Sequence, residues 1–541
     1  MFGAVAVGIG GWATGTLVGG VIALWAFCFA SAVAALVLPV PYALVSALFA
    51  GVLGWLVDML PLVILVGWTV VVCRWAFGLL RERRLPRGGK WTWIAIALVV
   101  WTGLGIAVIT GADFKHFLLL LGIQVIASGL VLATAESVRS DRDRLDLASG
   151  LVAFIVLLSV AVFLQWIGVN IQALQKGETR KRVESAYGLD AFPNNIGMIK
   201  YARSVKAGAL ELRKAVEKVA NETPELPAFD VFRPKFQAYE NHLVVRFAGS
   251  ARGFESELGD ARVTLLYDNI GLAPANTVPR MRSFPRNALT YAGICAAILP
   301  LAFFVAWSRR RILGWMGVVA CLFGVGFSLA RGAWIAVGIG VLYLLVDATF
   351  SRKRRLQILG AVVAAGIVLT GVFLIKYDVD PATGRAGGGA SINTRGDLYQ
   401  DTLSIFKGPK RYVLLGYGTE KPRTESGTVK EGTRYVPRAG THSTYLNYLF
   451  RTGVPGALLI LALYAVAILQ ARAEAHSTAG ERSVFASLLT ASVLLAAAHA
   501  AILSLYVEPI YTLVISVLLG AALAGAPDLK RSLVPWRTAP R

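Results

Sequence analysis

Charged residues and cysteines are both scarce in this sequence of 541 residues. Only 16% of the residues are charged, whereas charged residues make up about a quarter of an average soluble protein. The four cysteines, Cys28, Cys73, Cys295 and Cys321, all lie in apolar segments. This placement excludes a disulfide framework or a cysteine-ligated metal site outside a membrane, and we expect the cysteines to be packing residues.

Several well-known catalytic motifs are missing as well. The sequence has no P-loop, no His-Glu-x-x-His zinc motif and no Gly-x-Ser-x-Gly nucleophile elbow. Its nearest approach to an acidic metal site is Asp378-Val-Asp380, which has no neighbouring histidine. We therefore expect a mechanism that needs neither a metal ion nor another cofactor.

Long apolar runs, in contrast, are abundant, because 56% of the residues are hydrophobic. A helix of about 18 or more apolar residues crosses the hydrocarbon core of a bilayer. We predict such spans at 91–110, 117–134, 149–168, 288–307, 312–329, 333–350, 356–375, 456–470, 484–503 and 509–525. In residues 1–80, Asp58 and the prolines at 39, 41 and 61 interrupt the apolar pattern, so we expect two full spans plus a bent or re-entrant piece. The predicted fold class is an all-α polytopic membrane protein with about twelve transmembrane helices.

Short basic clusters predict the orientation of these helices. Loops rich in Lys and Arg stay in the cytoplasm, so we place 81–90, 309–311, 352–355 and 530–541 on that side, together with the N-terminus. Two long loops, 170–286 and 376–443, then lie outside; in the first we predict a surface helix at 205–225 and a short strand at 242–247.

The predicted domains follow from this path. They are an N-terminal transmembrane bundle (1–169), a first long outer loop (170–286), central transmembrane helices (287–375), an outer catalytic loop with a short interfacial helix (376–455), and C-terminal transmembrane helices with a cytoplasmic tail (456–541).

The basic residues also indicate which partners to expect. A formal net charge of +22 is compatible with nucleic acid, but the charges lie between apolar runs and in the two long loops, so membrane lipids explain them better. Residues 376–443 carry eleven Lys and Arg against seven Asp and Glu. An anionic partner such as a phosphate or diphosphate accounts for that excess; the alternative is a solvated loop that faces anionic lipid headgroups.

His442 is the strongest candidate for a catalytic base. It lies in Gly440 to Gly456 (GTHSTYLNYLFRTGVPG), where the second outer loop returns to the membrane. Thr441 or Ser443 can cap a helix that runs to about Arg451, and Gly453, Pro455 and Gly456 would break it. The helix dipole would keep a histidine at that start uncharged and able to accept a proton. The alternative is a capping residue or a contact to lipid headgroups.

Two further ionisable residues lie near the same membrane surface. His499 is within an apolar span, where we expect it to be hydrogen-bonded between helices, although an ionisable group in a membrane is by default a functional candidate. Glu508 lies just beyond that span and could orient a base or an acceptor hydroxyl.

Three arginines are predicted at the level of His442. Arg331 lies in a tight outer turn, Arg286 opens the span after the first long loop, and Arg395 lies in the second. Guanidinium groups pair bidentately with phosphate oxygens, so together they could hold a diphosphate leaving group. Each alone is equally explained as an anchor to headgroups.

These residues resemble the signature region of the O-antigen ligase and polymerase superfamily. The resemblance rests on His442-Ser-Thr-Tyr-Leu-Asn-Tyr-Leu with Gly453-Val-Pro-Gly456, on Leu415-Gly-Tyr-Gly418, on Arg331-Gly-Ala, and on Pro285-Arg-Asn-Ala-Leu-Thr-Tyr291. It covers the C-terminal half of the chain, 283 to about 525, with the motifs in the right order, whereas the loop 170–286 is long for a ligase.

The resemblance implies a GT-C-type integral membrane glycosyltransferase of the bacterial inner membrane. It would be a metal-independent, inverting enzyme that moves a glycan from undecaprenyl diphosphate to a lipid A-core acceptor on the periplasmic face. His442 would be the general base and Arg331 a catalytic arginine; Arg286, Asn287, Arg395, Tyr445 and Glu508 would bind substrate. The alternatives are a glycan polymerase, a protein O-oligosaccharyltransferase, or a flippase, channel or scaffold that is not an enzyme.

Overall fold

A computed structural model gives the fold of the chain. It describes residues 1–14, 17–57, 59–86, 91–108, 114–166, 195–200, 229–232, 242–247, 264–268, 284, 288–328, 330–347, 349–377, 403, 406, 410–418, 443–502 and 508–524.

These residues form a bundle of α-helices and one small sheet. The first helices are α1 (Phe2–Ala13), α2 (Leu17–Val37), α3 (Val40–Trp55), α4 (Leu60–Arg81), α5 (Thr92–Leu104), α6 (Phe114–Ser137) and α7 (Asp141–Trp166). After the sheet follow α8 (Ala288–Trp307), α9 (Arg311–Phe327), α10 (Arg331–Val346), α11 (Arg352–Tyr377), α12 (Lys410–Leu415), α13 (Thr444–Ser477), α14 (Gly480–Ile502) and α15 (Pro509–Leu523).

The prediction of a helical polytopic membrane protein is confirmed. Among the described residues, seven helices are long and apolar enough to cross a membrane, and six shorter apolar helices accompany them. Each of the ten spans predicted after residue 90 corresponds to a helix of the bundle.

The N-terminal region holds more helices than the sequence predicted. The two full spans are present as α2 and α4, but two short helices, α1 and α3, take the place of one bent piece. Pro41 and Pro61 occupy the first or second position of α3 and α4. Proline is tolerated there because that position needs no backbone donor. The prolines therefore stand at the start of helices, whereas the sequence interpretation predicted that they would bend a helix.

The first long loop contains a four-stranded antiparallel sheet. Its strands are β1 (Asn195–Lys200), β2 (Phe229–Phe232), β3 (His242–Phe247) and β4 (Thr264–Asp268), in the order β2-β3-β1-β4. The strand predicted at 242–247 is confirmed as β3, which pairs with β1 from Asn195↔Phe247 to Lys200↔His242. The helix predicted at 205–225 lies outside the described residues.

At one end of the bundle, which we call the basic end, charged side chains bind one another. Arg310 Nη2 lies 2.5 Å from Asp146 Oδ1, and Arg144 Nη2 lies 2.8 Å from Glu474 Oε1. The Arg144 and Glu474 side chains are 2% and 4% exposed. Arg84 pairs with Glu136 at the same end. Buried charges in a membrane protein need such partners.

Basic clusters that the sequence predicted on one side of the membrane also contact other residues at the basic end. The Arg354 guanidinium lies 5.1 Å from the centre of the Trp307 ring, and Trp307 Nε1 donates to Gln357 Oε1 at 3.0 Å. Arg355 donates to the carbonyl of Asp347 at 2.7 Å. The predicted alternation of helices is consistent with these contacts, because residues assigned to one face meet there.

Candidate active site

Three of the seven predicted site residues lie in described segments. They are Arg331, Tyr445 and Glu508. The other four, His442, Arg286, Asn287 and Arg395, fall outside the described residues, although the chain is described from Ser443 and from Ala288 onwards. The residues that flank these four positions define the candidate site, and they lie at the end of the bundle opposite to the basic end.

The chain after His442 forms a short helix, residues 444–452, which is the first part of α13. Ser443 is its N-cap, and the Ser443 hydroxyl accepts a hydrogen bond from the backbone N–H of Leu446 at 3.5 Å. The helical pattern breaks at Gly453, which has φ 69° and ψ −173°. The predicted cap and the predicted break are both confirmed. His442 thus directly precedes the N-cap of a helix, where the first-turn N–H groups carry partial positive charge.

One glycine motif, Leu415 to Gly418, holds the other end of the short helix. Gly416 has φ 70°, and a Cβ atom there would lie 2.2 Å from the carbonyl carbon of Arg451. The N–H groups of Tyr417 and Gly418 donate to the carbonyls of Phe450 and Arg451 at 2.8 and 2.9 Å. Only glycine allows both this close approach and the positive φ. The Leu415-to-Gly418 motif thus caps the short helix through the C-terminal carbonyls.

The short helix folds back over the bundle at Gly453. The ring centroids of Tyr445 and Tyr464 are 6.0 Å apart. These residues are 19 positions apart in α13, which would separate them by about 28 Å along a straight helix. The turn at Gly453 therefore brings the beginning of the short helix close to the outer half of the span that follows it.

Tyr445 anchors this end of the short helix to α14. Its hydroxyl donates to the carbonyl oxygen of Ala497 at 3.0 Å. Helix α10 packs on the same helix, because a Cβ atom at Gly340 would lie 2.6 Å from the side chain of Leu495. Tyr445 and Arg331, which begins α10, therefore both belong to elements that flank α14.

Arg331 is exposed and stands at the first position of α10, after the N-cap Ala330. Trp334 fixes the preceding turn, since its Nε1 donates to the carbonyl of Val325 at 2.9 Å. A cation at a helix N-terminus is disfavoured by the helix dipole. The first-turn N–H groups and the guanidinium together form an arrangement that suits an anion, since both present positive charge to it.

A small cavity with a mostly apolar wall lies beneath the short helix. Its volume is about 40 Å³, and its wall includes Thr444, Gln124, Ser128 and Thr512. A water molecule needs at least roughly 10–15 Å³ of such space. The Tyr448 hydroxyl donates to Gln124 Oε1 at 2.8 Å, and Gln124 Nε2 donates to Ser128 Oγ at 3.1 Å. The cavity thus has room for water beside Thr444, which is two residues after His442 in the sequence.

His499 lies fully buried at the same end of the bundle. Its Nδ1 is 3.3 Å from the hydroxyl of Tyr511, which confirms the predicted hydrogen bond between helices. Within the described part of the chain, Nε2 has no hydrogen-bond partner. A Cβ atom at Gly293 would lie 2.5 Å from His499 Cε1. The His499 imidazole therefore occupies space that is open because residue 293, on α8, is a glycine.

Glu508 is half-buried and is the N-cap of α15, three positions before Tyr511. A carboxylate near a helix N-terminus is favoured by the helix dipole. Its carbonyl oxygen accepts a hydrogen bond from the N–H of Thr512 at 3.1 Å. Glu508 is therefore at the end of the bundle where the sequence placed it.

Arg451 was not among the predicted site residues. It is only 3% exposed and is the penultimate residue of the short helix. The sequence interpretation used it only to mark the end of a helix. The signal was a single charge within the apolar stretch Tyr448 to Val454, because a charge so close to a membrane is retained for a structural or functional reason.

No curated protein matches the chain. A protein-family model described as O-antigen ligase matches residues 316–461. The matched segment begins in α9, contains Arg331, Arg395, His442 and Tyr445, and ends in the long part of α13. It is shorter than the resemblance predicted, since Arg286, Asn287 and Glu508 lie outside it. Residues 316–461 therefore match the O-antigen ligase family, within a chain whose described helices have the length and hydropathy of a polytopic membrane protein.

Proposed function

We propose that this protein is an O-antigen ligase, which transfers a glycan from undecaprenyl diphosphate to a lipid A-core acceptor. The observation that carries the proposal is the O-antigen ligase domain at 316–461, which encloses both proposed catalytic residues, His442 and Arg331. The basic end faces the cytoplasm, because short loops rich in Lys and Arg stay there. The opposite end, with the short helix, faces the periplasm across the inner membrane.

His442 acts as the general base of a single displacement. The acceptor hydroxyl loses its proton to the imidazole as its oxygen attacks the anomeric carbon of the donor. The bond between that carbon and the diphosphate oxygen breaks on the opposite face, so the configuration inverts. The leaving group is polyprenyl diphosphate. The Ser443-capped helix start supports this role, because the nearby helix dipole favours the uncharged imidazole.

Positive groups bind the diphosphate as it gains negative charge. Arg331, exposed at the start of α10, donates to its oxygens, and Arg286 and Arg395 complete the set. Asn287 and Glu508 bind the sugars. The Tyr445 hydroxyl is engaged by Ala497, so Tyr445 serves the substrate by holding the short helix in place. The mechanism needs no metal ion, and transfer should continue in the presence of EDTA.

The experiment uses purified protein in nanodiscs with radiolabelled donor and lipid A-core acceptor. Wild type should release polyprenyl diphosphate and form glycosylated lipid A-core. His442→Ala should abolish both products without changing the amount of folded protein, and His442→Gln should do the same because the amide is no base. Transfer by His442→Ala at the wild-type rate would remove the proposed base.

The acceptor separates the rival functions. A polymerase would extend one polyprenyl-linked glycan with another in the absence of lipid A-core. A protein O-oligosaccharyltransferase would modify a protein acceptor instead. A flippase or channel would bind the donor and release no polyprenyl diphosphate with any acceptor. Transfer to lipid A-core alone is the result expected for the ligase.

A further inference from the structure

The short helix, residues 444–452, depends on contacts from outside itself. An isolated helix shorter than about 12–15 residues is only marginally stable in water, and this helix is shorter than that. Its hydrogen bonding to the rest of α13 is interrupted at Gly453, and Pro455 has no backbone N–H to donate to the carbonyl of Arg451. The groups that bond to the short helix therefore determine its position.

A tryptophan of α5 binds the end of the short helix. Trp101 Nε1 donates to the carbonyl oxygen of Thr452 at 2.9 Å. Thr452 is the last residue before the turn at Gly453, and carbonyls at the end of a helix lack donors within the helix. Because Thr452 is buried, water does not readily replace the indole as a donor. Trp101 thus holds the end of the short helix against α5.

A glutamine of α6 binds the middle of the short helix. Gln124 Oε1 accepts from the Tyr448 hydroxyl at 2.8 Å, and Gln124 Nε2 donates to Ser128 Oγ at 3.1 Å. Gln124, Tyr448 and Ser128 are 2%, 3% and 4% exposed. A buried polar group without a partner is strongly disfavoured. The bond therefore holds Tyr448 against α6.

These two contacts lie on one side of the short helix. Tyr448 and Thr452 are four positions apart, which is about one turn and about 6 Å along the axis. The N-cap Ser443 is nine positions before Thr452, about 14 Å along the same axis. If the helix pivots at Thr452, a shift of about 1 Å at Tyr448 moves the Ser443 end by about 2 Å. Misplacement of a catalytic group by about 1 Å can lower a rate about 100-fold, so the contact with Gln124 controls the position of the residue that precedes Ser443.

Trp101 and Gln124 lie outside the segment that matches the O-antigen ligase family, which begins at residue 316. From these contacts we propose that both are positioning residues: through them, α5 and α6 hold the short helix so that His442 meets the acceptor hydroxyl. The proposal rests on the proposed function, which supplies the role of His442. Tyr445 also restrains the short helix, through its bond to the carbonyl of Ala497. Loss of a single contact should therefore slow transfer and not abolish it.

Substitution of Gln124 tests this role by kinetics. The assay uses the full-length protein in nanodiscs with radiolabelled donor and lipid A-core. Gln124→Leu should lower kcat about 20-fold and leave KM for the donor within about twofold of wild type, because the base is displaced while the donor keeps its own contacts. Gln124→Glu retains an oxygen that accepts from Tyr448 and should recover at least about half of the wild-type kcat. An equal kcat in wild type and Gln124→Leu would overturn the role of Gln124.

Trp101→Phe has a matched control in Trp68→Phe. Trp68 Nε1 donates to the carbonyl of Leu44 at 2.8 Å, so both substitutions remove an indole donor from a backbone carbonyl, but Trp68 joins α4 to α3. Trp101→Phe should lower kcat about tenfold, and Trp68→Phe should leave kcat of the folded protein unchanged. Equal kcat values for the two variants would overturn the role of Trp101.

A double-mutant cycle tests whether Gln124 acts through Tyr448. Tyr448→Phe removes the hydroxyl and should lower kcat about as much as Gln124→Leu does. The double variant should be within about twofold of either single variant, because the same bond is lost and neither of its two partners is left buried and unpaired. Independent effects would multiply to about 400-fold, and that result would overturn the action through Tyr448.

Spin labels separate failure of the positioning from failure of the function. Labels at Val160→Cys on α7 and Leu446→Cys on the short helix, in a background without the four native cysteines, report the position of the short helix by double electron–electron resonance. Gln124→Leu should shift the distance by about 2 Å, and Trp68→Phe should not change it. This shift in a protein whose wild type transfers no glycan would support the positioning and refute the ligase. Transfer at the wild-type kcat with an unchanged distance in Gln124→Leu would support the ligase and refute the positioning.

Discussion

The two ends of this bundle differ in whether their charged side chains are paired with each other. At the basic end, acidic and basic side chains pair with each other, as Arg144 does with Glu474 and Arg310 with Asp146. At the opposite end, Arg331 is exposed at the start of a helix whose dipole disfavours a cation. Pairing of charges stabilises a helix bundle, whereas an exposed cation is available to an anionic substrate. The contrast assigns stability to one end and chemistry to the other.

Arg331→Ala should have the largest effect on transfer. We expect kcat/KM to fall about 1,000-fold, because one positive group that stabilises developing charge is commonly worth about 100- to 1,000-fold. Arg331→Lys should recover part of the loss, since it keeps the charge without the bidentate geometry. Arg352→Ala, at the basic end, is the control and should transfer normally. Retention of more than a tenth of the activity by Arg331→Ala would contradict the assignment of chemistry to this end.

Gly453→Ala should have the second-largest effect, a fall in kcat/KM of about 100-fold. The residue has φ 69°, and a Cβ atom there would lie 2.1 Å from the carbonyl oxygen of Leu414. The substitution would therefore displace the short helix, and misplacement by about 1 Å can cost about 100-fold in rate. Gly338→Ala is the matched control, because a Cβ atom in the middle of α10 meets nothing within 4 Å. If both alanine variants are equally active, the turn at Gly453 does not position the base.

Substitutions that shift or remove the His499 imidazole should have a smaller effect on transfer. Gly293→Ala would place a Cβ atom 2.5 Å from His499 Cε1 and shift the imidazole away from Tyr511. We expect kcat to fall about fivefold through a change in packing beneath the short helix, an effect of about 1 kcal/mol. His499→Asn should show a similar loss. A loss of 100-fold or more in either variant would mean that His499 takes part in the chemistry itself.

Breaking the buried pair at the basic end should leave catalysis unchanged and lower stability. Arg144→Met removes one partner of Glu474 and leaves Arg482, whose Nε lies 2.7 Å from Glu474 Oε1. Removal of one partner of a buried pair costs about 3–5 kcal/mol. Because Arg482 still compensates the charge of Glu474, the free energy of unfolding in detergent should fall by less than that amount, while kcat/KM of the folded protein stays constant. A large fall in kcat/KM without a change in stability would reverse the contrast between the two ends.

The sequence predicted the membrane helices well because length and hydropathy decide whether a helix can span. It also predicted the Ser443 cap and the break at Gly453, since both are local features. It failed in residues 1–80, where prolines either bend or start helices and the pattern does not distinguish the two. The contact between Gly416 and Arg451 was not predictable, because nothing local indicates which loop covers the end of a helix.

The most direct test of the account is the distance between His442 and Arg331. Spin labels at His442→Cys and Arg331→Cys, in a background without the four native cysteines, can be measured in nanodiscs by double electron–electron resonance. A reference pair at positions 331 and 311 reports the length of α9, about 24 Å or more. The account predicts that labels at 442 and 331 lie within two helix diameters, about 20 Å. A single population beyond about 30 Å, three helix diameters, would contradict it, because the base and the arginine would then not share one substrate.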